Sequence, residues 1–167
     1  MSARGRAIRH LPVSDCISRL DIEPLLVHAT DDPLVVIHRA AERPQTRVLG
    51  VVDDAGVLVG VLSIVRLAEA VIVRVAPEVL LSDITDADAA ARFGSTVGAR
   101  TVSDVMLPPA IIAADASLDE AFRRMHALHL SGLYVVDAGG RPTGYLDLME
   151  LTMFVAEAIE ADSRSTD

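Results

Sequence analysis

The sequence predicts an α+β chain built from two copies of one strand–helix–strand–strand–helix unit, joined by a bridge of partly helical character. Three observations predict it. The stretch VVDDAGVLVGVLSIVRL, Val51 to Leu67, returns 84 positions later, without a gap, as VVDAGGRPTGYLDLMEL, Val135 to Leu151. Self-similarity at a long fixed offset marks a duplicated structural unit. Each copy also reads as a hairpin running into a helix, and each is preceded by a capped apolar-periodic segment.

The hairpin comes first. Val51-Val52 and Val135-Val136 are β-branched, as buried strands prefer. Asp53 to Gly56 and Asp137 to Gly140 are turn material: Asp bonds its own backbone further on, and Gly takes the left-handed conformation. A second strand follows, through Gly60 or Gly144. Ser63 and Asp147 are suited to cap helices opening at Ile64 and Leu148. A Gly ahead of a helix N-terminus lets backbone approach a ligand, and that terminus favours anions. The duplication therefore carries a candidate binding corner twice.

The remaining elements follow in order. Met1 to His10, with Arg4, Arg6 and Arg9, reads as a tail. Val13-Ser14-Asp15-Cys16-Ile17 and Val102-Ser103-Asp104-Val105-Met106 open the two copies, and short strands follow at Leu25 to Val27 and Ala110 to Ala113. In the first copy Asp32 caps a helix with Pro33 at its first position, Leu34, Ile37 and Ala41 on one face, and Pro44 at its end. In the second, Ser117 and Glu120 form a capping box, and Leu118, Ala121, Phe122, Met125 and Leu128 make one stripe before Ser131-Gly132. The helix from Ile64 presents Leu67, Val71 and Val75, although Val71-Ile72-Val73 also fits a strand. In the bridge, Asp86 to Phe93 predicts a short helix and Gly94 to Gly98 a loop. The final helix, Leu148 to Ala161, shows Leu151, Val155 and Ile159 on one face. Met149, Thr152, Met153 and Ala156 widen that face enough to suggest a second helical partner, such as another copy of the chain.

Composition sets limits. Half the residues are apolar (51%), aromatics are scarce (3%) and Trp is absent, so the core is aliphatic. A net charge of −9 disfavours a nucleic-acid surface. The single Cys16 excludes an internal disulfide framework and a four-cysteine zinc site, and reads as a reduced thiol. No apolar run spans a bilayer and no h-region follows the basic start, so a cytoplasmic location is expected. His126 with His129, and Asp83 with Asp86 and Asp88, are metal-ligating residue types. They read better as helix surface and as a solvated, helix-capping cluster. No nucleophile–base constellation, Walker loop or dinucleotide glycine fingerprint is present, so no catalytic residue is expected and the chain is read as a non-enzyme.

The segments VSDVMLPP, DASLDEAFRRM and GLYVVDAGGRPTGYLDLMEL, with Val48 to Leu67 in the first copy, resemble a tandem pair of CBS domains, also called a Bateman module. The resemblance implies two βαββα units packed with pseudo-two-fold symmetry. On this frame residues 1–12 are a tail, 13–76 the first CBS domain, 77–100 the bridge, 101–160 the second domain and 161–167 a tail. It also implies a homodimer joined through helices of both repeats, and regulation of a separate, unidentified protein. No cofactor is expected. Their regulatory ligands are most often AMP, ADP or ATP, sometimes S-adenosylmethionine, bound between the repeats. A ligand-free dimerisation or interaction module is the alternative.

The family's binding motif is a Gly, two apolar residues, Ser or Thr, two further residues and an Asp, the hydroxyl meeting phosphate and the carboxylate the ribose diol. Here Gly60 and Ser63 fit, but Arg66 stands at the Asp position and, having no acceptor, suits phosphate instead. Gly144 fits, Asp147 replaces the hydroxyl, and Glu150 keeps the carboxylate on a longer stem. Adenine contacts by family position fall near His28 to Thr30 and Ile112 to Ala114, hence at Thr30 and Ala114. Against these roles stand plainer ones: a salt bridge for Arg66, a helix cap for Asp147, and first-turn placement for Glu150.

Overall fold

A computed structural model describes residues 9–17, 19, 20, 22–78, 81 and 84–164, with backbone only at 162–164. Asp83, Arg4, Arg6 and the last three residues thus lie outside it. The chain divides into two compact units: Leu25–Pro109, and the residues up to Pro24 together with those from Ala110 onward.

In the unit Leu25–Pro109, β1 (Leu26–His28), α1 (Pro33–Ala41), β2 (Val48–Val52), β3 (Leu58–Ser63) and α2 (Ile64–Ile72) follow in order. The sheet order is β1-β2-β3, with β1 parallel to β2 and β3 antiparallel to it. This is the βαββα unit. Every residue of β2 is buried, as expected of a central strand covered on both faces. The turn between β2 and β3 is held by Asp53, whose carboxylate accepts from Ala55 and Val57 N–H at 2.9 Å each, and by Gly56 at φ 77°. The core gathers Val27, Val36, Leu49, Val51, Leu62, Leu67 and Ala70 with Val102 and Val105.

The second unit repeats this plan with α4 (Leu118–Leu128), β4 (Gly132–Val136), β5 (Pro142–Asp147) and α5 (Leu148–Arg164). Asp137 repeats the role of Asp53, accepting from Gly139 and Arg141 N–H, and Gly140 sits at φ 78°. The strand expected at Ala110 to Ala113 is reduced to one parallel bridge, Ile111 to Tyr134. Tyr134 N–H donates to Ala110 O, and Ile112 N–H to Tyr134 O, at 2.9 Å each. Pro108 and Pro109, which lack N–H donors, precede it.

The two VSD segments differ from expectation. Val102 N–H donates to Asp31 O and Ser103 N–H to Ala29 O, which holds Val102–Asp104 in the unit Leu25–Pro109. Val13 N–H donates to Ala116 O and Ser14 N–H to Ala114 O, which holds Val13–Asp15 in the other unit. Each segment thus pairs with the repeat it does not precede. The short 3-10 turn at 102–104 is fixed by Asp104, which accepts from Arg100 N–H, Thr101 N–H and the Thr101 hydroxyl. Those bonds, the one from Arg100 first, hold its carboxyl below the usual range.

Helix identities and N-caps match expectation, although of the Ser117–Glu120 capping box only the Ser117 half forms among the described residues, and several apolar faces shift. Asp32 accepts from Leu34 N–H, Ser117 from Glu120 N–H and Asp86 from Ala89 N–H. On α1 the buried residues are Pro33, Val36 and Ala40, whereas Leu34 and Ala41 are exposed. The segment PLVVIHRAA is apolar at both candidate spacings, so sheet contact decides the face. Residues 64–72 are helical rather than extended; Leu67 and Ala70 are buried and Val75 is 86% exposed. On α4 Leu118, Ala121 and Met125 are buried while Phe122 and Leu128 are exposed. On α5 Leu151 is buried and Ile159 exposed. The bridge helix α3 spans Ala87–Gly98, so Gly94 to Gly98 is helix rather than loop. Ser95 and Thr96 hydroxyls donate back to Ala91 and Arg92 carbonyls. Among the described residues no helix is long and apolar enough to cross a membrane.

Candidate functional site

The two corners lie in separate units. Gly60, Ser63, Arg66 and Thr30 belong to one; Gly144, Asp147, Glu150 and Ala114 belong to the other.

At the first corner, Gly60 is buried in β3 beside an antiparallel bridge. Val61 N–H donates to Leu107 O at 3.0 Å and Leu107 N–H to Val61 O at 2.8 Å. A Cβ on Gly60 would lie 2.7 Å from Met106 Sδ and 2.8 Å from Leu107 O, so the glycine is required by the chain's own close approach. Ser63 is the N-cap of α2, its Oγ accepting from Arg66 N–H at 3.3 Å. Arg66, half-buried in the first turn, donates from Nε to Val105 O at 2.9 Å. Its expected rival role, a salt bridge, is thus replaced by a backbone carbonyl. Thr30 is exposed in the turn after β1, between two carbonyls that hold the 102–103 backbone.

The second corner is built differently. Asp147 and Glu150 are each 1% exposed. Asp147 Oδ1 accepts from Met149 N–H at 2.8 Å, capping α5, and Oδ2 faces the Tyr145 hydroxyl at 3.4 Å. Glu150 Oε2 accepts from Asp147 N–H at 3.1 Å, the reciprocal half of a capping box. Its Oε1 accepts from Leu20 N–H, also at 3.1 Å. Each carboxylate oxygen thus accepts one backbone amide, and with the side chain 1% exposed Glu150 does not face a ribose in this arrangement. The spacing Asp147-x-x-Glu150 already carried this signal, by the pattern read at Ser117 and Glu120. Gly144 is not sterically required: its nearest neighbours, Ile17 and Val135, would meet a Cβ at an ordinary 3.6 Å. Ala114 is exposed, and its carbonyl accepts from Ser14.

Residues to which the sequence assigns no binding role complete this corner. Gly132 leaves room for Tyr145, whose hydroxyl and ring would clash with a Cβ there. The Tyr134 and Tyr145 rings meet at 5.1 Å. Arg19 lies 4.5 Å over the Phe154 ring and pairs with Glu157, fastening the segment before Leu20 to α5. Cys16 is fully buried; burial foremost, then the Glu150 charge, pushes its thiol up to about 11, so it is no nucleophile near neutral pH. Among the described residues no group of three or more His, Cys, Asp or Glu is arranged to hold a metal. Asp86 serves as a helix cap.

Residues 102–157 match the family model for the CBS domain. A CBS domain-containing protein from Thermotoga maritima matches at 23% identity over 86% of this chain and 93% of its own, with a TM-score of 0.70. The CBS-pair protein CBSX2 from Arabidopsis thaliana, solved in complex with AMP, matches at 21% identity over 88% of this chain and 97% of its own, with a TM-score of 0.65. The chain folds as a CBS-domain pair. The CBS domain of a membrane protein from Sphaerobacter thermophilus matches at 25% identity over 91% of this chain and 92% of its own, with a TM-score of 0.60. A comparison with curated proteins found no match. The family span opens at Val102, grouping Val102–Asp104 with the second repeat, although their hydrogen bonds join them to the first. Within this CBS pair the corners have diverged: one presents a hydroxyl and a guanidinium at a helix start, and the other closes two carboxylates on its own backbone.

Proposed function

We propose that this CBS pair is a regulatory module that takes an adenosine nucleotide or related adenosine ligand at its first-repeat corner and passes its state to a partner protein. The divergence of the two corners carries the reading. Ser63 stands at the positive end of α2 with its O–H still able to donate, and Arg66 brings a guanidinium with five donors, one of them on Val105. Together they suit a phosphate, and the exposed Thr30 turn lies in the same unit. The AMP complex of CBSX2 supports the ligand class. Ligand binding favours one conformation of the pair, which is how a module without catalytic groups regulates another protein.

A second copy of the chain covers the exposed apolar residues Val65 and Ile72 on α2 and Met149, Met153 and Ile159 on α5, giving a homodimer. Light scattering on wild type and Met153→Glu checks this: a dimer that the substitution splits is expected, and a monomeric wild type would contradict it.

Titration calorimetry with AMP, ADP, ATP and S-adenosylmethionine tests the ligand reading. Binding weakened about tenfold or more by Arg66→Ala is expected, as for losing a charge-assisted contact. Flat traces for all four ligands from folded protein would favour a second reading, a ligand-free interaction module. The buried, internally bonded Asp147 and Glu150 are the observation behind that alternative.

A further inference from the structure

The bridge helix α3 does more than connect. Between it and α2 lies an open cavity of about 260 Å³, lined by Arg66 and Glu69 of α2, by Ala89, Arg92, Phe93 and Thr96 of α3, and by Ile84. Arg66 and Glu69 are three apart and share a face of α2, whereas Leu67 and Ala70 are the residues that α2 buries. Arg92, Phe93 and Thr96 likewise share a face of α3, together with the buried Ala89. Where two helices face each other, this stripe would ordinarily be aliphatic. Here it carries two guanidiniums, a carboxylate, a hydroxyl and an aromatic ring. Among the described residues no ion pair joins Glu69 to Arg66 or Arg92, so these charges do not simply cancel one another.

We propose that this cavity binds a phosphate monoester that also bears hydroxyl groups. The two guanidiniums suit a doubly charged phosphate, which each can bind through paired N–H donors. Glu69, an acceptor only, repels bare phosphate and selects a ligand that presents hydroxyl donors beside its charge. The Thr96 hydroxyl, whose proton lies on Arg92 O, can still accept from a ligand hydroxyl, and Phe93 and Ile84 offer the ligand's carbon body an apolar wall. The site shares Arg66 with the first-repeat corner, so the two readings compete for that guanidinium, and Arg92, Phe93 and Thr96 of the bridge are what set this site apart.

Calorimetry of the full chain with ribose 5-phosphate, inorganic phosphate and ribose tests this. Ribose 5-phosphate is expected to bind about tenfold more tightly than inorganic phosphate, and ribose not at all. Arg92→Ala, at an exposed position, is expected to weaken ribose 5-phosphate about tenfold or more, with Arg92→Lys falling between. Glu69→Gln is expected to erase the preference for ribose 5-phosphate over phosphate. No binding of ribose 5-phosphate at millimolar concentration, binding indifferent to Arg92→Ala, or equal affinity of wild type for phosphate would each overturn the proposal. AMP binding that survives Arg92→Ala would leave the corner reading standing if this site fails. Ribose 5-phosphate binding through Arg92, in a chain blind to AMP, would leave this site standing if the corner reading fails.

Discussion

Gly60 and Gly144 occupy the same place in the duplicated sequence, yet alanine at the two positions should act in opposite directions. At Gly60 a methyl group meets Met106 Sδ at 2.7 Å and Leu107 O at 2.8 Å. The thioether can swing aside, but the carbonyl is held by the two hydrogen bonds of the Val61–Leu107 bridge, at 3.0 and 2.8 Å. Relief therefore requires the 106–107 backbone to retreat and those bonds to lengthen. Overpacking of this kind costs about 1–3 kcal/mol, and the fixed backbone places Gly60→Ala toward the upper end. At Gly144 the same methyl finds only side-chain carbons at 3.6 Å, an ordinary contact, and neither glycine has positive φ. Removing a strand glycine there recovers about 0.5 kcal/mol of unfolded-state entropy. At roughly 2–4 °C per kcal/mol for a chain of this size, Gly60→Ala should lower the melting temperature by about 4–10 °C. Gly144→Ala should leave it unchanged or raise it by a degree or two. Paired thermal melts followed by circular dichroism read this directly. Equal losses, or a larger loss at Gly144, would refute the close approach as the reason for Gly60.

Two further predictions concern the second corner. Glu150→Ala leaves the Leu20 and Asp147 amides without acceptors, a cost of about 2–5 kcal/mol in urea unfolding, and Glu150→Gln, which keeps one carbonyl oxygen, should cost about half as much. A loss below 1 kcal/mol for Glu150→Ala would show that the carboxylate does not tie Leu20 to α5. Cys16, raised from 9.0 to about 11 by burial and by the Glu150 charge, keeps its proton in the folded chain while the unfolded chain releases it. Its contribution is therefore complete below pH 9 and lost as pH rises through 11, on the order of 2–3 kcal/mol. Urea midpoints between pH 8 and 11 should fall in wild type and fall less in Cys16→Ala. Parallel slopes would contradict the buried thiol.

The local grammar of this chain was legible because it is set by neighbours in sequence. Asp53 and Asp137 close their turns on residues two and four further on, and Asp32, Ser63, Asp86 and Ser117 cap helices they directly precede. Which apolar face each helix buries was legible only in part: Leu67 is buried on α2 as its spacing suggests, whereas α1 is apolar over most of its surface and the sheet decides which side is covered. The bridge helix ran on through Gly94 and Gly98 because a glycine lowers helix propensity by about 1 kcal/mol without forbidding the helix. Pairing across long separations left no local trace. The Glu150–Leu20 bond spans 130 residues, and the VSD segments pair with the repeats they do not precede. The corner motifs are legible as helix starts, and the Asp147–Glu150 half of the second corner's closure is legible with them, whereas the Leu20 half is supplied only by the fold.

The central claim, an adenosine ligand at the first corner and a closed second corner, is tested most directly by amide chemical-shift mapping of the labelled chain with AMP. The account predicts shifts centred on Thr30, Ser63 and Arg66, with the amides of Gly144, Asp147 and Glu150 unmoved. Shifts centred on Gly144 to Glu150, or none anywhere, would contradict it.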